Sequence, residues 1–449
     1  MTSAAVLKQS GPRHLLADDI SYIALEGGGG KGFAYLGALQ ILEKLNVFDH
    51  VIGYAGASAG AITSLMLSLG YRSDEMAMFM KDPSKLGVSV HSFTEFFEPP
   101  EPRYRPRPGQ PYLLVPNPSP GEEKLITALE HLGLEAGLSA VLVSALGCVL
   151  GDAAVGFALA ELAKNYGTFK KQIDEHQSTP PFDLLIRSWR RLFVYMGSDM
   201  GLFSGRKARD VFDELVGMKV RNTSGIPKLF ATFEDLFAVT GKKLLVTGSN
   251  LSTGTTQLFS VDHTPAFPVA DAIRISMSLP FIYKPYVIDK DIYRGKPPCG
   301  TYVDGGVWNN LPFREFDGEP DYDAGTKAKS AAVTGARPKP KTLGLRLAYE
   351  PAGQVTTFGQ FGLQVARFGL FGSGESQVLS QYTDQTIVLD TEGLDLVDFA
   401  PPEAAREAAI KRARRTTRKY FGLPADPKDA DELDDIMLEG RKSKTSACQ

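Results

Sequence analysis

The apolar run Ser21-Tyr22-Ile23-Ala24-Leu25 leads, after Glu26, into four consecutive glycines, Gly27 to Gly30. A buried strand that ends on glycines must be followed by a turn with almost no side-chain bulk. Apolar residues then return at helical spacing, as Leu36, Leu39, Leu42 and Leu45, which predicts a helix over residues 33–45. The sequence next repeats itself in kind. Residues 51–55 read as a second strand, Gly56 to Ser58 as a small-residue turn, and residues 59–69 as a second apolar helix. Strand, helix, strand and helix with short connections specify βαβ units, hence an α/β fold with a mainly parallel central sheet.

Residues 98–121 break this rhythm with nine prolines, a composition no helix accommodates. An apolar Gly/Ala-rich stretch follows, uncharged from 136 to 151 and again from 153 to 160. A membrane-crossing helix needs about 20 mainly apolar residues. Asp152 falls inside the run, which favours a buried or membrane-contacting helical pair over a span. The sheet pattern resumes near Pro227, with strands expected at residues 229–233, 244–247, 257–261, 301–303 and 343–347. Helices are expected at 269–277 and 403–421. The expected organisation is an N-terminal extension (1–20), a main domain in two pieces (21–97 and 196–350), a Pro-rich strap plus apolar helical insertion (98–195), and a C-terminal helical region with a charged tail (351–449).

A formal net charge of −3 over 449 residues gives no argument for a nucleic-acid partner. Cys148, Cys299 and Cys448 form an odd, sparse set without CxxC spacing, so neither a disulfide framework nor a zinc cluster is expected. The first 19 residues hold no apolar run of the secretory type. The expected location is cytoplasmic or at a membrane surface, with non-classical export as the route out of a cell.

Three short segments carry the chemistry. The second turn, Gly56-Ala57-Ser58-Ala59-Gly60, is a GxSxG pattern, and Ser58 is the only serine flanked this way. Placed between a strand and a helix, it sets the serine hydroxyl clear of the backbone as an activated nucleophile. The first turn, Gly27-Gly28-Gly29-Gly30-Lys31-Gly32, lets backbone N–H groups converge on a small anion, and the Ala59 N–H adds another donor. A dinucleotide site would require an acid at the tip of the second strand, where Gly56 and Ser58 stand instead. A P-loop would require Ser or Thr after Lys31, which is followed by Gly32. The third segment is Asp304-Gly305-Gly306, at the end of an expected strand. The histidines are His14, His50, His91, His131, His176 and His263. None follows Asp304, so a triad in the order serine, Asp304, histidine is impossible, whereas one through His263 and an earlier acid stays open.

Taken together, the glycine element, the GxSxG elbow and the late DGG resemble the patatin-like phospholipases. Residues 247–260, with Asn250-Leu251 and Phe259-Ser260, and Ser278-Leu279-Pro280 resemble bacterial members. The resemblance covers about residues 21–98 and 201–347 and leaves out the insertion. It implies a central sheet sandwiched by helices and a Ser–Asp dyad that needs no histidine, metal or cofactor. Ser58 matches the nucleophile and Asp304 the catalytic aspartate. Gly27, Gly28, Gly29, Lys31 and Gly32 match the oxyanion element, which also contains Gly30.

The implied substrates are phospholipids or lysophospholipids, with peripheral membrane contact. A general esterase or neutral-lipid lipase with the same dyad, and a silent lipid-binding module, are the alternatives. The last helix carries Arg406, Lys411, Arg412, Arg414, Arg415, Arg418 and Lys419, either as a contact for anionic headgroups or as a solvated basic face. The strap and insertion leave room for autoinhibition or an activator.

Overall fold

The strand before the glycines forms as β1 (Tyr22–Leu25), and all of its residues are buried. Alternate side chains enter opposite faces, as strand geometry demands. Ile23 and Leu25 join the main core, while Tyr22 and Ala24 pack with Leu311, Phe313, Phe316 and Tyr382. A strand buried on both faces reads as a continuous apolar run, which is why it was legible. This computed structural model describes residues 14–96, 200–221, 225–288, 297–319, 322–323, 328–329, 341–348, 382–394, 399 and 401–426. The expected strap and insertion (98–195) and both chain ends lie outside the described residues.

The chain continues through α1 (Tyr35–Lys44), β2 (Gly53–Gly56), α2 (Ala59–Ser68) and α3 (Ser73–Lys81). From residue 201 come β3 (Gly201–Phe203), α4 (Arg206–Lys219), α5 (Phe233–Thr240), β4 (Lys243–Asn250), β5 (Thr255–Phe259) and α6 (Val269–Ser276). They are followed by β6 (Phe281–Tyr283), β7 (Tyr286–Ile288), β8 (Gly300–Asp304), β9 (Tyr322–Asp323), β10 (Ala328–Lys329), β11 (Thr342–Leu347), β12 (Thr386–Leu389) and α7 (Glu403–Tyr420). The central sheet runs β12-β11-β1-β2-β4-β8-β7, with β5 also paired to β4. It is parallel from β12 to β4 and flanked by helices. Beyond β4 the pairing turns antiparallel.

That reversal bears on the site. Asp304 ends a strand that runs antiparallel to both of its neighbours in a mainly parallel sheet. β4 overshoots β2: Gly56 pairs with Val246, and β4 goes on to Asn250. β8 runs back along this overhang and places Asp304 opposite Gly248, two residues past the level of Gly56. Ser58 also lies two residues past Gly56, so opposite strand directions deliver both residues to one level.

Two other expectations fail. Residues 229–233 form no strand. Phe230 has φ 53°, which no strand residue adopts, and its N–H is held by the Asp213 carboxylate at 2.9 Å. Thr232 and Asp235 then cap each other and start α5, leaving Leu229 and Phe230 exposed. The hairpin partner of β4 is residues 255–259, not 257–261, because β4 absorbs Gly248 to Asn250.

The turn between β2 and α2 is so close to β1 that only glycine fits. A Cβ on Gly60 would lie 2.2 Å from the Leu25 carbonyl oxygen and 2.7 Å from that of Glu26. Both are backbone atoms and cannot rotate away. Gly60→Ala is expected to cost about 3 kcal/mol or more, the upper range for overpacking. Urea melts would read this as a lower midpoint at unchanged slope. An unshifted midpoint refutes the close approach.

Candidate active site

Ser58 is the N-cap residue of α2, with φ 49° and ψ −121°. A positive φ outside glycine is strained, and the strain turns the side chain off the strand-to-helix path. Ser58 is 8% exposed. Its N–H donates to Ser276 Oγ at 3.0 Å, at the end of α6. Two residues on, the Ser278 carbonyl accepts the Asp304 N–H at 2.9 Å. One short segment, Ser276 to Ser278, thus holds the backbones of both Ser58 and Asp304.

Asp304 is fully buried. Its Oδ1 accepts the Gly306 N–H at 2.7 Å. Gly305 permits this turn: a Cβ there would meet the Thr247 carbonyl oxygen at 2.3 Å. Burial pushes the Asp304 carboxyl up to about 7, against the opposing pull of the Gly306 N–H and the Ser58 hydroxyl. Oδ2 is buried without a well-formed hydrogen bond.

The glycine element forms a 3-10 turn from Gly29 to Ala34. Two of the expected donors are already occupied. The Gly27 N–H donates to the Asn310 carbonyl, and the Lys31 N–H to the Gly28 carbonyl, each at 3.0 Å. The Lys31 ammonium reaches the Ala348 carbonyl at 3.2 Å, at the end of β11. The Gly28 N–H has no partner among the described residues. Those of Gly29 and Gly30 open the 3-10 turn, and those of Ala59 and Gly60 open α2, so none has an intrahelical partner. The positive end of α2 adds to their pull on an anion beside Ser58. Gly32 keeps the two turns together, since a Cβ on it would stand 3.0 Å from that of Ala59.

An apolar cleft opens from this point. Ser58, Ala59, Gly29, Gly30 and Gly32 line it together with an apolar wall that includes Ile62, Met66, Met76, Phe79, Met80 and Met277. Flexible methionines suit an unbranched chain of variable shape. His263 is engaged elsewhere, its Nδ1 lying 2.8 Å from Ser260 Oγ, and it does not line the cavity. Among the described residues no cluster of three His, Cys, Asp or Glu side chains comes together to hold a metal, and no helix is long and apolar enough to cross a membrane. Cys299 is an exposed free thiol.

Sequence reasoning missed Ser276 and Asn310. Asn310 donates from Nδ2 to the Gly27 carbonyl at 3.1 Å while its own carbonyl takes the Gly27 N–H, clamping the glycine turn to the segment after Asp304. The signal for Ser276 was a small polar residue closing an apolar helix just before Pro280. Asn310 carried no distinct signal.

The family model of the patatin-like phospholipases matches residues 23–317. Over 82 residues the chain is 31% identical to a probable lipid hydrolase of Invertebrate iridescent virus 6, a match covering 18% of this chain and 25% of that relative. The chain thus spans a quarter of that relative's length. It is 24% identical to an uncharacterized protein of Acanthamoeba polyphaga mimivirus over 274 residues, 60% of this chain and 78% of the other. Among solved structures it is similar to VipD from Legionella pneumophila, with TM-score 0.42 and 16% identity, covering 94% of this chain and 72% of that one. It is also similar to ExoU of the Pseudomonas aeruginosa type III secretion system, solved in complex with SpcU, with TM-score 0.32 and 17% identity over 90% of this chain and 53% of the other.

Proposed function

Because the chain belongs to the patatin-like phospholipase family, we propose that it is a serine acyl hydrolase that cleaves fatty-acyl esters of phospholipids or lysophospholipids. The observation that carries this reading is a buried carboxyl, Asp304, beside the strained Ser58 at one end of an apolar cavity. An acyl chain suits such an apolar wall.

In this reading Asp304 takes the Ser58 proton as Oγ attacks the ester carbonyl. The free N–H groups of Gly28, Gly29, Ala59 and Gly60, with the end of α2, hold the developing oxyanion. The alcohol leaves with the proton from Asp304, and the acyl group stays on Oγ. Water, deprotonated by Asp304, then attacks the acyl-enzyme; the C–Oγ bond breaks, the fatty acid leaves, and Ser58 Oγ takes the proton back from Asp304. A carboxylate at its ordinary pKa of about 3.9 is a weak base; burial makes it a better one. Residues 21–97 and 196–350 form the catalytic unit in this reading, and 98–195 an insertion. The probable lipid hydrolase among the relatives supports a lipid ester as substrate.

A fluorophosphonate probe tests the nucleophile directly. It should label the wild-type chain at residue 58 and leave Ser58→Ala unlabelled. Equal labelling of the two proteins removes Ser58 from its role. Mass spectrometry of products from defined mixed-chain phospholipids then decides which ester is cut, and release from neutral glycerides alone would favour the neutral-lipid lipase.

A further inference from the structure

Helix α7 bears a row of cations, and the structure separates them. Arg412 pairs with Asp390 at 3.3 Å, and Arg414 donates to Gln40 Oε1 at 2.7 Å. Arg418 reaches the Pro424 carbonyl at 2.9 Å and Asp426 at 3.7 Å. These three hold α7 and its flanks in place. Arg406 is different. Among the described residues it has no carboxylate partner, and its guanidinium lies over the Phe33 ring, 5.6 Å from the centroid.

Phe33 and Met80 line the cavity that contains Ser58. Phe33 clusters with Ala409 of α7, and Met80 and Ala405 pack against that cluster. Arg406, adjacent to Ala405, thus sets its guanidinium against Phe33, a residue of the cavity lining. It also sits near the N-terminal end of α7, where the helix dipole disfavours a cation. Glu403, in the same turn, is 3.5 Å from Lys81. A guanidinium over an aromatic ring still has edge N–H donors of the kind that take a phosphate in two parallel hydrogen bonds.

We propose that Arg406 is a phosphate subsite: it binds the headgroup phosphate of a glycerolipid whose acyl ester reaches Ser58. This rests on the acyl-hydrolase reading and adds selectivity for phospholipid over neutral lipid. Arg406 binds substrate and takes no part in bond breaking.

The test compares phosphatidylglycerol and diacylglycerol of matched chains in mixed detergent micelles, with fatty-acid release followed by mass spectrometry. Arg406→Gln should lower kcat/KM on the phospholipid about tenfold, mainly through KM, and leave diacylglycerol unchanged. Arg406→Lys should recover part of the loss, and the control Lys411→Gln should behave as wild type. An equal loss on both lipids makes Arg406 a prop for Phe33 and overturns the subsite, as does no loss on either. Millimolar inorganic phosphate in the diacylglycerol assay separates the two sources of the ligand. A phosphate effect that disappears in Arg406→Gln makes free phosphate the ligand and overturns the headgroup assignment; an unchanged rate upholds it.

Calorimetry reads the subsite without turnover. A monomeric short-chain lysophospholipid should bind the Ser58→Ala protein about tenfold more tightly than the Ser58→Ala, Arg406→Gln protein. Equal affinities sink the subsite even if turnover is found. A wild-type chain that hydrolyses neither lipid, with the affinity difference intact, sinks the hydrolase reading and leaves the subsite standing.

Discussion

Ser58→Gly should abolish ester hydrolysis and raise the melting temperature. The activity follows from the nucleophile: without Oγ there is no acyl-enzyme, and losses for such residues are roughly 10⁴-fold or more. The stability gain follows from the backbone. Ser58 is held at φ 49° and ψ −121°, a conformation that costs a residue with a Cβ about 1–3 kcal/mol and glycine almost nothing. Glycine returns part of this, about 0.5–1 kcal/mol, through the greater freedom of the unfolded chain. The net expectation is about 1 kcal/mol in favour of the variant. Ser58→Ala supplies the control, since it loses the hydroxyl but keeps the Cβ and the strain. If Ser58→Gly melts below Ser58→Ala, the elbow stores no strain. If Ser58→Gly still turns over substrate, another residue is the nucleophile.

Such a trade explains which parts of the site the sequence disclosed. Ser58 was legible because a tight elbow demands small residues at 56 and 60, and sterics write themselves into composition. β1, β2, α1 and α2 were legible for a related reason: their apolar periods report local burial. Asp304 was visible as DGG, yet the direction of its strand was not. Nothing in residues 300–304 says whether the neighbour runs parallel; the overhang of β4 past β2 decides it. Residues 229–233 misled because Leu229, Phe230 and Phe233 look like a buried run. The exchange of caps between Thr232 and Asp235 is a short polar signal that overrode it. Asn310 and Ser276 act through contacts spanning 283 and 218 residues of sequence, which no local pattern encodes. The cations of α7 looked alike, and only their neighbours tell Arg406 from Arg412, Arg414 and Arg418.

Asp304→Asn should lower turnover by roughly 10²- to 10⁴-fold, the usual share of a general base, and yet stabilise the protein at alkaline pH. Burial raises the folded-state value from 3.8 to about 7. Between those values the folded state holds a proton that the unfolded chain has released. The stability linked to that proton is complete below about pH 4, shrinks as pH rises, and is gone above about pH 7. About three units at 1.36 kcal/mol each make the loss on the order of 4 kcal/mol. Asparagine is neutral at every pH and its Oδ1 still accepts the Gly306 N–H, so it escapes this loss. Chemical melts of the two proteins should therefore lie close together near pH 4 and separate by pH 8, with the variant the more stable. The same ionisation governs the reaction in the opposite sense, because only the carboxylate can take the Ser58 proton. Wild-type kcat/KM should climb about tenfold per pH unit up to pH 7 and then level off. A limb centred near pH 4, together with melts that stay parallel, would mean that water reaches the Asp304 carboxyl in solution. The buried base on which the catalytic argument rests would then be lost.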